Sequence, residues 1–304
     1  MASPDLWVVC CRNTSYNTTL DSLKPNLDRR QAAGSLSYRI VDVQDLVFSV
    51  QNNKFYLYVN GELEKHLPKV AFAHLPTTPN FSTHIINAIR QLEVMGVRCI
   101  NSSESMLVCR NKFRQLQLLA PLGFKMPDSA TYGTDTATGL TQLVQAPLAI
   151  DFPAILKSAD ANGGKRVMLL PSGDVAEDIR GSLLDDSVYL LQEYIKASHG
   201  VHFRALCVGG KVEAAYKIQN TVNTRVQSNC VEGGTFSTIE GEEEMKSMAL
   251  TITKTIGLDI SGIDFLIDKN GEIIFLEANA CPMLCVDDAT VDAVIDFFLT
   301  CSTK

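Results

Sequence analysis

The sequence predicts an α/β fold of more than one lobe, on three observations. Apolar runs of strand length alternate with amphipathic runs of helical spacing in the first third. Glycine-marked hairpins dominate the last third. A chain of 304 residues also exceeds one ordinary domain.

DLWVVCC (5–11) reads as a buried first strand, and YRIVDVQDLVFSV (38–50), KFYLYVNGEL (54–63) and KVAFAHLP (69–76) continue the strand-rich pattern. In FSTHIINAIRQLEVMG (81–96), Ile85, Ile86, Ile89 and Leu92 recur at helical spacing and Gly96 stops the run. VRCIN (97–101) returns to strand. The stretch 101–123 is a Ser-capped helix closed by Pro121 and Gly123. Then come a helical stretch to about Ala146, the strand FPAILK (152–157), a Gly-containing turn (158–166) and the strand VMLL (167–170). A helix around 175–184 leads into the strand SVYLLQEYI (187–195). Residues 202–218 form a hairpin turning at Gly209-Gly210, and 242–257 form a helix stopped by Gly257.

Composition narrows the function. With 46% hydrophobic and 20% charged residues the chain is globular with a large core. The longest apolar runs, such as LWVVCC (6–11), are too short to span a bilayer or to serve as a signal segment. Nine cysteines without a C-x-x-C pair, and no His at zinc-finger spacing, imply reduced thiols and a cytoplasmic protein. A formal charge of −7 argues against nucleic acid as a partner, so an anionic substrate needs positive charge gathered locally. Neither membrane nor nucleic acid is expected as a partner, and a homo-oligomer is left open.

The sharpest local feature is FLEANACP (275–282), where an apolar strand ends in Glu277 and Asn279 on one face. Upstream, GIDFLIDKNGEIIFLEANA contains two apolar strands around Asn270-Gly271, a sequence suited to a two-residue type I′ turn. In that register Lys269 faces Glu272 and Asp264 faces Glu277. Ile263, Phe265 and Ile267 with Ala278, Leu276 and Ile274 then make the apolar face. Like charges directly opposite destabilise a sheet, and a cation relieves them. Asp264, Glu277 and Asn279 are therefore candidate ligands for Mg²⁺ or Mn²⁺, the hard-oxygen choice.

No P-loop or Rossmann fingerprint is present. Lys157 ends an apolar strand and can meet a phosphate as a point charge. The turn after it, with Gly163, Gly164 and Lys165, can offer backbone N–H groups to an anion. YLLQEYI (189–195) turns polar at Gln192-Glu193, a place for an adenine ring between apolar walls. Lys112, Arg204, Lys217 and Arg225 are the remaining candidate cations. If the hairpin turns at Gly209-Gly210, Arg204 and Lys217 are neighbours at its open end.

Taken in order, Lys112, Lys157 with its glycine loop, LLQEYI, HFRALCVGGKV, QSN with GG, and GID…FLEAN resemble the ATP-grasp enzymes of the RimK-like glutamate ligase group, over nearly the whole chain. NKF, MPD, YG, KASHG, VGG, RVQSNC and LEAN are most similar to the animal N-acetylaspartylglutamate and β-citrylglutamate synthases. The resemblance implies an ATP-grasp fold, with an N-terminal α/β lobe and two β-rich lobes clasping ATP. It implies three domains: 1–103 before the grasp, 104–188 as its central lobe, and 189–304 as its C-terminal lobe with the metal site. It implies an ATP-dependent carboxylate–amine ligase that makes an acyl phosphate and then an amide, joining L-glutamate to a small acid such as N-acetylaspartate or citrate. Lys112, Lys157, Gly163, Gly164 and Lys165 would contact phosphates, and Gln192, Glu193, Tyr194 and Ile195 the adenine. Arg204, Lys217 and Arg225 would act on the acyl phosphate. The alternatives are an ATP-grasp inositol phosphate kinase, a glutamate ligase acting on a protein C-terminus, and an ATP-binding protein without catalysis.

The chain also departs from that pattern. His202-Phe203-Arg204 stands where Asp-Ile-Arg is usual, and Lys217 replaces an arginine and its fork. Asp160 replaces a basic residue. ACPML (280–284) lacks the usual glycine after Asn279.

Overall fold

The computed structural model describes residues 4–11, 17–75, 82–160, 166–183, 187–221, 226, 234–284 and 287–303. The chain order opens β1 (Leu6–Cys10), α1 (Asn17–Ala32), β2 (Tyr38–Asp42), β3 (Leu46–Gln51), β4 (Lys54–Val59), β5 (Glu62–Leu63), β6 (Val70–Ala73), α2 (Ser82–Val94) and β7 (Arg98–Ile100). It continues α3 (Ser103–Arg110), α4 (Lys112–Leu119), β8 (Ser129–Thr131), α5 (Thr136–Gln145), β9 (Ala154–Ser158), β10 (Val167–Leu170), α6 (Gly173–Ile179) and β11 (Tyr189–Glu193). Last come β12 (Val201–Val208), β13 (Lys211–Gln219), β14 (Thr235–Thr238), α7 (Glu243–Ile256), β15 (Ile260–Ile267), β16 (Ile273–Asn279) and α8 (Asp288–Ser302).

β1 lies inside a parallel sheet ordered β2-β1-β6-β7. All its residues are buried because helices cover both faces. Trp7 and Val9 join Ile85, Ile89 and Leu92 of α2, whereas Leu6 and Val8 join Leu23 and Leu27 of α1. The sequence pattern predicts neither α1 nor α8. In α1, Pro25 and a mostly polar composition obscure the buried Leu23–Leu27 pair. α8 buries Val291, Val294, Ile295 and Phe298 in the same cluster as Leu206 and Val208 of β12. That cluster joins the first sheet to the last. At its rim Arg29 pairs with Asp292 and Arg30 with Asp296.

The run 38–50 is not one strand. Asp42 caps a short 3₁₀ turn by accepting from the Gln44 N–H, and β3 then starts a separate antiparallel sheet, β3-β4-β5. The single helix expected within 101–123 is also split. Asn111 leaves the helical region, ending α3, and its side chain accepts from the Arg114 N–H to start α4. This break puts Lys112 in the first turn of a new helix.

Two antiparallel sheets form the rest. In β10-β9-β11-β8, Leu156, Tyr189 and Leu191 pack on Leu140, Leu143 and Ala176 of the covering helices. The other face carries Lys157 paired with Leu190, which joins the cluster of Phe265 and Phe275. In β14-β13-β12-β15-β16, α7 packs Met245, Ala249 and Ile252 against Ala205, Cys207 and Ile263. Gly209 and Gly210 both have positive φ, as the primed turn between β12 and β13 demands.

The β15–β16 hairpin corrects the predicted turn. Gly271 alone of the Asn270-Gly271 pair takes positive φ, and the Asp268 carboxylate accepts from the N–H groups of both Asn270 and Glu272. Asp268, not Lys269, then faces Glu272, giving a three-residue loop with a left-handed glycine at its end. This shifts the register by one. A bulge after Asp264 shifts it back, so Asp264 faces Glu277 while Phe265 faces Phe275. Phe275, not Leu276, therefore sits in the core.

Candidate functional site

Asp264 and Glu277 stand opposite each other on β15 and β16, with Gly262 opposite Asn279. On the other side of β15, Arg204 of β12 faces Asp264. Arg204 closes a fork on it, with Nε at 2.5 Å from Oδ1 and Nη2 at 2.6 Å from Oδ2. Asn279 Nδ2 donates to the same carboxylate at 3.1 Å and His202 Nε2 lies 4.0 Å from it. Asp264 is 2% exposed, so these partners decide its energetics.

Glu277 keeps more freedom. Its Oε2 lies 3.7 Å from Nζ of Lys112, and its side chain is 22% exposed. Burial alone raises its carboxyl, but Lys112, Lys157 and Arg204 outweigh that and hold it below the ordinary range. Burial pulls the Lys157 ammonium down to about 8, against the attraction of Glu277. Burial also lowers His202, with Asp264 opposing. For Arg204 burial works against the charge, and Asp264 more than restores it, raising the pKa. The positive charge that an acidic chain needs for an anion is therefore assembled here from three distant segments.

The end of β9 is tied to the start of α4. The Lys112 N–H donates to the Ala159 carbonyl at 3.0 Å, and Asn111 Nδ2 donates to Asp160 Oδ1 at 3.0 Å. Lys112 thus meets the Glu277 carboxylate from one anchored element, and Lys157 adds its positive field from the other.

The other predicted residues divide. Gln192 is buried and donates to Ser129 Oγ at 2.8 Å. Glu193 is exposed and its carboxylate accepts from the Asp128 N–H. The Tyr194 hydroxyl and His199 Nδ1 share a 2.7 Å hydrogen bond, and Ile195 is buried. Lys217 is not brought into the cluster. It pairs with Phe203, whereas Arg204 pairs with Tyr216, so the two cations lie on opposite faces of the hairpin. Expecting them together at the open end counted distance along the strands but not side-chain alternation. Gly163, Gly164, Lys165 and Arg225 lie outside the described residues.

Sequence reasoning missed three residues. Gly262 leaves room for Arg204: a Cβ there would meet the Arg204 Cδ at 3.2 Å and the Pro282 Cβ at 3.0 Å. Gln115 and Asn101 bond the backbone beside Asn279. Gln115 lies three residues after Lys112, on the same helical face, which is the one pattern that could have flagged it.

The donors suit a small hard cation: two carboxylates and a carboxamide, all oxygen, with cations beside them for phosphate. Among the described residues, no group of three His, Cys, Asp or Glu side chains converges to hold a metal. Two carboxylates alone leave coordination positions for phosphate oxygens and water.

Known proteins resemble this chain in sequence and in fold. The RimK-like ATP-grasp domain matches residues 109–298. Human β-citrylglutamate synthase B is 30% identical over 275 residues, 90% of this chain and 70% of that protein. Human N-acetylaspartylglutamate synthase A matches with the same identity and coverage. A probable α-L-glutamate ligase of Histophilus somni (strain 2336) is 32% identical over 233 residues, 76% of each chain. In fold, D-alanyl-alanine synthetase A from Vibrio cholerae superposes with a TM-score of 0.72 at 14% identity, covering 100% of this chain and 98% of that one. The ATP-grasp ligase PsnB, solved with its minimal precursor, Mg and ADP, gives 0.67 at 18% identity over 98% of each chain. The chain belongs to the RimK-like ATP-grasp family of carbon–nitrogen ligases.

Proposed function

We propose that this ligase uses ATP and Mg²⁺ to join the amine of L-glutamate to the carboxylate of a small acid of the N-acetylaspartate or citrate type. The observation that carries the reading is the cross-strand pair of buried Asp264 and half-buried Glu277, with Arg204, Lys112 and Lys157 around it. Its support in kind is the glutamate named in each of the three relatives above.

When bound, Mg·ATP supplies the phosphoryl group that activates the acid and the positive charge that offsets its transfer. Glu277, Asn279 and Asp264 would hold the metal, and Mn²⁺ suits the same donors. Lys112 and Lys157 would hold phosphate oxygens from the two anchored elements described above. Gln192 to Ile195 would border the base. Arg204, paired with Asp264, presents a fixed guanidinium edge to the activated carboxyl and its developing oxyanion. Arg225 is proposed to contribute from the segment that follows the hairpin, whereas Lys217 lies on the face away from Arg204. Tyr194 is steered by His199, and His202 replaces an acidic neighbour of Arg204 with a neutral ring.

We place the protein in the cytoplasm, the compartment that its scattered cysteines without a C-x-x-C pair suit. Among the described residues no helix is long and apolar enough to cross a membrane.

The test is a product screen. The purified chain is incubated with ATP, Mg²⁺, glutamate and a panel of acids, and products are read by mass spectrometry. An amide of glutamate supports the reading. A phosphorylated polyol without free phosphate supports the kinase alternative and contradicts it.

A further inference from the structure

Two buried carboxamides hold the backbone on either side of Asn279. β16 is the edge of its sheet, so among the described residues no further strand receives its outward-facing groups. At Ala278 a side chain does so. The Ala278 N–H donates to Gln115 Oε1 at 2.7 Å, and its carbonyl accepts from Gln115 Nε2 at 3.1 Å. Gln115 Nε2 also donates to the Cys109 carbonyl at 2.9 Å, and the residue is 1% exposed. On the other flank, Asn101 Nδ2 donates to the carbonyls of Ala280 and Ile260, each at 2.7 Å. Asn101 Oδ1 accepts from the N–H groups of Asp259 and Ile260.

These contacts bracket the oxygen donors of the site. Ala278 lies between Glu277 and Asn279, and Ala280 follows directly. Gln115 mimics the two hydrogen bonds of a neighbouring strand, but it stands on α4, the helix whose first turn carries Lys112. One rigid helix therefore sets both the ammonium that faces Glu277 and the backbone from which Glu277 and Asn279 project. A side chain that only covered a sheet edge could sit on any element. This one ties the edge to the cation's own helix.

We propose that Gln115 is a positioning residue for the cation-and-phosphate site. It fixes Glu277 and Asn279 relative to Lys112, while Asn101 holds the other flank. The proposal rests on the metal-nucleotide reading above.

The test uses the full chain with Gln115→Met, close in volume but without the amide, and Gln115→Glu. The latter keeps an acceptor for the Ala278 N–H and sets a carboxylate against two carbonyls. Mn²⁺ affinity is measured by electron paramagnetic resonance with a non-hydrolysable ATP analogue, and the Ala278 amide by hydrogen exchange. KM for Mg·ATP is measured separately from kcat. In folded Gln115→Met we expect faster exchange at Ala278, Mn²⁺ affinity weakened about tenfold or more, and a raised KM, as for lost partners of metal ligands elsewhere. Gln115→Glu should weaken Mn²⁺ binding as well. Folded variants with wild-type Mn²⁺ affinity and KM, and only a lower melting temperature, would overturn the proposal. A Glu277→Ala control separates the levels: if it binds Mn²⁺ like the wild type, the reading of the site falls as well.

Discussion

Arg204 and Asp264 face each other on neighbouring strands and share two hydrogen bonds of 2.5 and 2.6 Å in a nearly dry setting. The pair accounts for how a carboxylate survives inside a sheet next to a second one. The fork satisfies both oxygens of Asp264 and leaves Glu277 to face Lys112 and the open side of the pair.

Removing one partner leaves the other buried without its counter-charge. Arg204→Ala should lose about 3–5 kcal/mol of stability, the usual cost of breaking a buried pair. An Arg204→Met, Asp264→Leu double variant should recover most of that loss and still form no amide. Denaturant unfolding and the amide assay, run on all three proteins, check both halves.

Glu277→Ala should be soluble and folded yet without turnover, because its carboxylate lies at the open side of the pair. With that charge gone, the Lys157 ammonium should titrate still below its present value of about 8, since Glu277 attraction opposes the effect of burial. Amide formation and the titration of Lys157 by NMR are the measurements. Wild-type turnover in this variant would contradict the metal assignment.

Gly262→Ala tests the space beneath Arg204. The added methyl presses on Arg204 and on Pro282 at 3.0–3.2 Å, where a rigid proline ring cannot yield easily. Overpacking of this kind costs about 1–3 kcal/mol. Because Arg204 is displaced, kcat should fall more than the loss of stability explains. A fully active Gly262→Ala enzyme would show that Arg204 need not keep this position.

His74, buried at the end of β6, should give the stability curve a slope in mild acid. Burial lowers its pKa to about 4 from an ordinary 6.5, so the folded form resists a proton that the unfolded chain accepts. Its contribution is complete above pH 6.5 and is lost as pH falls towards 4. Each pH unit across that window is worth about 1.4 kcal/mol, so the loss reaches roughly 3 kcal/mol. Urea titrations between about pH 8 and pH 4 should show this slope, flattened in His74→Gln.

Much of the architecture was legible in the sequence because burial imposes periodicity. The run at β1, the spacing of Ile85, Ile89 and Leu92, and the glycines at 209–210 and 257 each report a local rule. The helices α1 and α8 were not: Pro25 and a polar composition hide the Leu23–Leu27 pair in α1, and the apolar positions of α8 acquire meaning only against strands far away in sequence. The Asp264–Glu277 pair was reached by a register that erred at the turn. Asp268 capturing two N–H groups, and a bulge between Asp264 and Phe265, are tertiary choices that happened to compensate. Lys217 was misjudged because two residues close along a hairpin need not share a face. Gln115 and Asn101 escaped because a carboxamide that serves distant backbone carries no motif of its own.

The most direct measurement of the central claim is the ratio of phosphate released to amide formed, with glutamate and an acid that the product screen identifies. A ratio of one, lost in Glu277→Ala and in Arg204→Ala, is the expected result. Nucleotide turnover without amide, or amide formed equally well by those variants, would contradict it.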